Sequence, residues 1–362
     1  MHARHAAAAL TVVVATAVGA TTACSAFQNL STAEKVNNAF NKLNDGHEAT
    51  IDFQLKATTD QLLALDAAAS SSDSKMTRDQ AKQISGLGIT VSMRSKKPLK
   101  DALKASNTST GKLDPSLDMD LAIHNGAHTS LAEYRSIAGK AYMKLNIAEL
   151  AKLGGDNKNA AELQQLQAMT DSIPRALEPI RRLLQGNWVS IDPAKFAKLS
   201  KQASGDTKPS PMPSLNPDQQ QKISDTLSKI IAKDATFSDK GTSDGIDTIE
   251  IKANARKLIT DIQQQVFPHL KDVPGVGGKL PTSAPTSVPT APATVTVKLN
   301  KDGGTLNTIA LDLGQFDTSS KGNHFPLAMT FKDTATNMTA PAGAIEFDPN
   351  SIEDLMATSL GG

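Results

Sequence analysis

Apolar residues recur at every second position along much of this chain, a period that admits little besides a half-buried β-sheet. Ile51, Phe53, Leu55 and Ala57 fall on one side of an extended segment, with Asp52, Gln54 and Lys56 on the other. Ile89, Val91 and Met93 repeat the pattern, as do Leu117, Met119, Leu121 and Ile123 against Asp118 and Asp120. Leu131, Glu133, Arg135 and Ile137 alternate less regularly with Tyr134 and Ser136, and Ala141, Met143 and Leu145 alternate with Tyr142 and Lys144. Further on, Val295, Val297 and Leu299 run into the turn Lys301-Asp302-Gly303-Gly304, and Ile309, Leu311 and Leu313 lead away from it. Leu327, Met329 and Phe331, then Ile345 and Phe347, close the series. Successive side chains of a strand point to opposite faces, so each segment presents one greasy face and one wet one, as antiparallel sheets do.

Between the strands the period changes. Ser31-Thr32-Ala33-Glu34 is a capping box ahead of Val36, Ala39, Phe40 and Leu43, and Asn44-Asp45-Gly46 stops that helix. Leu163, Leu166, Met169, Ile173, Leu177, Ile180 and Leu184 step by three or four, which predicts helical structure over about 160–184 with a break near Pro174. Ile223, Leu227, Ile230 and Ile231, and later Leu258, Ile259, Ile262 and Val266, mark two more helices. Residues 204–217 and 274–292 are rich in Pro, Ser and Thr and read as extended linkers. A short form recurs at Asn146, Asp192, Asn254 and Asp348: an alternating strand, a capping Asn or Asp, then a short amphipathic helix. Together these elements predict an α+β protein with one large, curved antiparallel sheet, its helices gathered on the greasy side and the 160–184 region as its cover.

Residues 1–23 have the three parts of an export signal: a basic start (Arg4 with His2 and His5), an uncharged stretch from Ala6 to Ala15, and small residues from Gly19 to Ala23. Cys24, the single cysteine, follows at once. The apolar run is shorter than the roughly 20 residues needed to span a bilayer, so it reads as removable. A lone thiol at such a junction is similar to the lipobox of bacterial lipoproteins, with Thr21 where Leu or Val is usual; plain secretion with an incidental thiol is the other reading. The expected organisation is a signal peptide over 1–23, a tether over 24–30 beginning at a lipidated Cys24, and a single domain over 31–362. The mature chain would be lipid-anchored on the extracytoplasmic face of the cell membrane, since two or three acyl chains hold far better than one.

Composition narrows the function. One cysteine excludes a disulfide framework. Lys and Arg number 38 against 37 Asp and Glu, so there is no basic field for nucleic acid. Only 4% of residues are aromatic, too few for a surface that stacks sugars or bases. His124 and His128 stand where a strand runs into Asn125-Gly126-Ala127, and the spacing that serves metals on a helix does not carry over to a turn. No Gly-x-Ser-x-Gly elbow occurs, and Gly275–Lys279 runs into Leu280 within a linker, which is no phosphate loop. Asp118 and Asp120, on the wet side of their strand, read as solvated. The sequence predicts no enzyme, no metal and no cofactor.

A resemblance adds to this reading. The lipobox, the first helix, the long strands, Gly139-Lys140-Ala141-Tyr142-Met143-Lys144, a helical crossing, Gly186-Asn187-Trp188-Val189-Ser190-Ile191 and the strand Gly245–Ile251 together resemble the LppX/LprG-type lipoproteins of actinobacteria. That resemblance implies the half-barrel of the LolA-like carriers, in which a sheet wraps around helices and encloses an apolar cavity for acylated lipids or lipoproteins. This chain is longer than typical members, so the linkers look like insertions.

Two functions stay open at this stage. In the first, the cavity is lined by Ile51, Phe53, Leu55, Val91, Met93, Met119, Leu121, Ile123, Met143, Leu166, Met169 and Ile173. It would hold a lipid or lipoprotein cargo, with a membrane transporter as a further partner. The unbranched methionines suit variable acyl chains, and Trp188 and Tyr142 would stand at the rim or in the core. In the second, the same side chains pack a solid core and the protein is a structural or protein-interaction lipoprotein.

Overall fold

The computed structural model describes residues 31–69, 75–106, 114–126, 129–154, 161–163, 165, 168, 170, 173, 177–192, 195, 217–270, 288–316 and 322–348. The predicted alternation appears as one twelve-stranded sheet. Its strands are β1 (Glu48–Leu55), β2 (Gly88–Ser95), β3 (Leu117–His124), β4 (Ser130–Ile137), β5 (Lys140–Leu145), β6 (Val189–Ile191), β7 (Ala235–Ser243), β8 (Ile246–Asn254), β9 (Pro292–Asn300), β10 (Thr305–Asp312), β11 (Pro326–Lys332) and β12 (Ile345–Phe347). They lie in the order β12-β6-β5-β4-β3-β2-β1-β11-β10-β9-β8-β7, so the sheet is open, with β12 and β7 at its edges. Every neighbouring pair is antiparallel except β12 with β6, which is parallel. This is the α+β class with one large, mostly antiparallel open sheet that the alternation and the helical segments foretold, and it is consistent with the half-barrel that the resemblance implies.

Two tight turns set the register. Asp244 (φ 52°) and Gly245 (φ 74°) join β7 to β8, and two consecutive positive φ values are what a two-residue hairpin matched to the sheet twist needs. Ala138 (φ 50°) and Gly139 (φ 78°) do the same between β4 and β5. There Asp118 Oδ1 accepts the Ala138 amide at 3.0 Å, which offsets the unfavourable alanine conformation.

The helix α1 (Thr32–Asp45) forms as its capping box predicts: Ser31 Oγ accepts from the Glu34 amide at 3.3 Å and Glu34 Oε2 from the Ser31 amide at 2.8 Å. Its buried Val36 and Ala39 pack on Ile249, Val297, Leu299, Leu306, Ile309, Met329 and Phe331, the main core. Helices α2 (Thr59–Ala69) and α3 (Arg78–Ile84) close around Leu55 and Ala57. Helix α4 (Leu99–Ala105) seats Leu99 and Ala102 against Ala49 and Leu117. Helix α5 (Ile147–Gly154) follows β5, and α6 (Glu178–Leu184) precedes β6 and touches β5, β6 and β12. Helices α7 (Pro217–Asp234) and α8 (Ala255–Gln265) share a cluster of Ile223, Leu227, Ile230, Ile262 and Val266.

The recurring strand-to-helix form has one physical cause. Asn146, Asp192 and Asn254 each accept the amide three residues on, from Glu149 (3.2 Å), Lys195 (3.4 Å) and Lys257 (2.9 Å). Asp348 is described, but the residues after it are not. Of the predicted helical region over 160–184, residues 161–163, 165 and 168 are helical and 178–184 form α6. Leu166, Met169 and Pro174 lie outside the described residues, as do residues 1–30 with Cys24, His128, the linker 204–216 and the greater part of 274–292.

The connection from α4 to β3 turns on Asp114. Its carboxylate accepts from Ser116 Oγ (2.5 Å), the Ser116 amide (2.8 Å) and Lys97 Nζ (2.9 Å). The Ser116 bond first, then Lys97, lowers its pKa from 3.8 to about 2. A carboxyl whose pKa falls on folding stabilises the fold above its unfolded value and loses that contribution as pH drops through the folded one. Asp114→Asn is therefore expected to flatten the stability profile between pH 4 and 2, read by urea midpoints along an acid titration.

Candidate functional site

Cross-strand register places the apolar side chains in continuous rows on one face. One row runs Ile249–Val297–Ile309–Met329–Phe53–Ile89–Ile123–Ala132–Leu145, from β8 to β5. A second runs Phe331–Ile51–Val91–Leu121–Tyr134–Met143–Val189–Ile345. A third runs Ala49–Met93–Met119–Ser136–Ala141–Ile191–Phe347. Ile51, Phe53, Leu55, Val91, Met93, Met119, Leu121, Ile123 and Met143 thus share this face. Ile173 is half-buried and its amide donates to the Thr170 carbonyl at 3.3 Å.

Exposure along the first row is uneven. Under α1 it is closed: Ile249 0%, Val297 2%, Ile309 8% and Met329 2% exposed. Beyond β1 it opens, Phe53 and Ile123 being half-buried and Ile89 40% exposed. Val91, Met93, Met119, Leu121 and Met143 are likewise half-buried. Burial raises the pKa of Tyr134, which sits among them. A cleft of about 330 Å3 lies at the Phe331 end of the second row, between the end of α1, the β9–β10 turn and the end of β11. Lys42, His47, Glu48, Lys332 and Asp333 line it together with Leu43 and Phe331.

The opposite face corrects one expectation. Asp120, read as solvated, is 1% exposed. It belongs to a polar row, Lys332–Thr50–Ser92–Asp120–Arg135–Tyr142–Ser190–Glu346, over which the connection between β11 and β12 passes. Arg135 Nε donates to Asp120 Oδ1 at 3.0 Å, and Asn337 Nδ2, from that connection, donates to Oδ2 at 3.2 Å. Burial still holds the Asp120 pKa above the ordinary carboxylate range. Asp118 stays partly exposed and pairs with Arg94 at 2.8 Å. Arg135 also bonds Glu133 (3.2 Å) and stacks 4.6 Å from the centroid of Trp188. Trp188 and Tyr142 therefore belong to the polar face, away from the rim of the apolar rows. The warning in the sequence was Arg135 directly opposite Asp120, which becomes visible only once the strands are in register.

His124 is another polar residue that the structure buries. Its Nε2 lies 3.2 Å from Asp52 Oδ1 and 3.1 Å from Thr90 Oγ1, while Thr90 Oγ1 donates to the same Asp52 oxygen at 2.9 Å. A nucleophile–base–carboxylate relay needs the hydroxyl on one ring nitrogen and the carboxylate on the other. Here both meet at Nε2, so the three form a cross-strand clamp. Gly88 stands opposite His124, and a Cβ there would lie 2.4 Å from the ring; only glycine leaves room for the imidazole. Among the described residues no group of His, Cys, Asp and Glu is arranged to hold a metal, and no helix is long and apolar enough to cross a membrane. No family model matches the chain, and comparison with curated proteins finds no match.

Proposed function

We propose that this protein is a lipid-anchored extracytoplasmic lipoprotein that binds or carries an acylated ligand without chemistry, the acyl chains lying on the open half of the apolar face. The observation that carries this reading is the gradient along one row of side chains, from 0% exposure at Ile249 to 40% at Ile89. Both ends of the row lie on the same apolar face, so the greasy face over β2–β5 has apolar surface still to bury. Three methionines within it, Met93, Met119 and Met143, conform readily to a flexible chain. At about 25 cal/mol per Å2, covering ~300 Å2 of this face supplies roughly 7 kcal/mol toward binding. The signal-like residues 1–23 and Cys24 support the anchor, and a membrane transporter would be the natural recipient of such a cargo.

The test is native mass spectrometry of the protein purified from an actinobacterial host as a form beginning at Ser25, followed by lipid extraction. A one-to-one acylated adduct is expected, and it should disappear in Met119→Trp and Leu121→Trp while the melting temperature holds. A bare mass with no lipid in the extract would instead favour a structural or interaction lipoprotein.

A further inference from the structure

We infer that residues 333–347 form a clasp whose release opens the far edge of the sheet, and that this clasp controls access to the apolar rows from that edge. Its gating role rests on the lipid-binding reading above; the clasp itself does not.

The geometry of the connection is the starting point. From β11 to β12 the sheet order takes seven interstrand steps, across β1 to β6. At about 4.8 Å each they span roughly 34 Å. The thirteen residue steps from Lys332 to Ile345 reach about 43–47 Å when fully extended. Crossing the sheet thus takes about three quarters of the segment's full reach, and it runs along the polar row, perpendicular to the strands. Strands β1 to β4 hold it between Thr334 and Thr339. Thr50 Oγ1 on β1 donates to the Thr334 carbonyl at 2.7 Å, and Glu48 Oε2 accepts the Ala335 amide at 3.1 Å. On β2, Ser92 Oγ meets Thr336 Oγ1 at 3.0 Å and Arg94 donates to the Met338 carbonyl at 2.9 Å. On β3, Asp120 takes Asn337, and Arg135 of β4 reaches the Thr339 carbonyl at 3.5 Å. The residue at the centre, Asn337, has a left-handed backbone (φ 59°) that asparagine tolerates better than most side chains.

The same details mark the clasp as a segment that opens readily. Met338 is the one large apolar side chain between Asp333 and Ala344 that is buried, and most of the rest are exposed. Few buried apolar contacts, and hydrogen bonds that are at most partly buried, are the marks of a segment that opens before the global fold does. The segment runs directly into β12, so lifting it from the row removes the anchorage that precedes the β12–β6 pairing. That pairing covers three residues on each strand, and parallel pairing is the less stable kind. When β12 leaves, Ile345 and Phe347 are withdrawn from the ends of two apolar rows, and α6, which packs on β12, loses a neighbour. The polar face thereby controls the apolar one through a single connecting segment.

A cross-link tests this. In the full chain carrying Cys24→Ser, Ser92→Cys with Thr336→Cys supplies the only two thiols, in place of hydroxyls 3.0 Å apart. Oxidation is expected to slow amide exchange over 178–191 and 345–347 by ~10-fold relative to the same protein reduced, because these amides would exchange through the clasp-open state. Association of a fluorescent long-chain fatty acid should slow by a similar ~10-fold, as it does when a gate is locked. A reduced Ser92→Ala, Thr336→Val chain should shift exchange the other way. Equal exchange in the oxidised and reduced proteins would overturn the clasp, as would a cross-link that fails to form. Slowed exchange with unchanged probe association would keep the clasp and overturn its gating role. A probe that binds neither form would count against the lipid-binding reading alone, with the exchange data still deciding the clasp.

Discussion

Asp120→Ala is expected to cost about 3–5 kcal/mol, the range found when one member of a buried ion pair is removed. Its carboxylate is the joint on which the polar row and the segment above it meet, since it accepts from Arg135 at 3.0 Å and from Asn337 at 3.2 Å. Alanine leaves the Asn337 amide without that acceptor and the guanidinium with Glu133 as its remaining carboxylate within the sheet. Asp120→Asn separates charge from hydrogen bonding. It keeps one acceptor oxygen, fills the same space and removes a charge that burial disfavours. An acid whose pKa rises on folding contributes most stability below its unfolded pKa and loses that contribution as pH climbs through the folded one. The asparagine chain lacks this decline, so its stability relative to the native chain should improve as pH rises from the acid side. Urea unfolding of the three proteins across a pH series measures both effects. An alanine chain as stable as the native one would show that the row is solvated and that the segment above it holds nothing.

Much of this architecture is legible in the sequence because period two is a strong signal when one face is wet. Ile51, Val91, Leu121 and Met143 can be assigned to one face from alternation alone, and the register joins them in one row. The capping box at Ser31 and the caps at Asn146 and Asn254 are local, three residues long, and equally readable. What escapes is non-local. Alternation assigns Asp120 to the polar side but says nothing of a segment more than 200 residues later that roofs it. Polar residues opposite polar residues read as solvent-facing until Thr334 to Thr339 are laid across them. Helical periodicity over 160–184 likewise marks greasy positions without saying which strands they meet. His124 is a similar case: its burial follows from Gly88 in the neighbouring strand, a pairing that spacing along the chain does not reveal.

The uneven closure of the apolar face makes a second large effect testable with one type of substitution at two places. Leu299→Ala removes a side chain that is 0% exposed, in the cluster beneath α1. Such a change costs about 2–5 kcal/mol, combining lost transfer energy with the cavity left behind. Leu121→Ala removes the same atoms from the same face of the same sheet, but from a half-buried position. A site that water already reaches has less transfer energy to lose and leaves no sealed void, so its cost should be less than half that of Leu299→Ala. Chemical denaturation of both variants, with unchanged m-values as the check on two-state unfolding, gives the comparison directly. Equal losses would mean that the face over β2–β5 is packed as tightly as the core under α1, and a protein so filled has no room for an acyl chain. A clear difference leaves that half of the sheet with a binding capacity that stability alone does not require. Ligand should then narrow the gap in one direction only: an acylated compound that binds the open half raises the stability of the native and Leu299→Ala chains alike, and that of Leu121→Ala least.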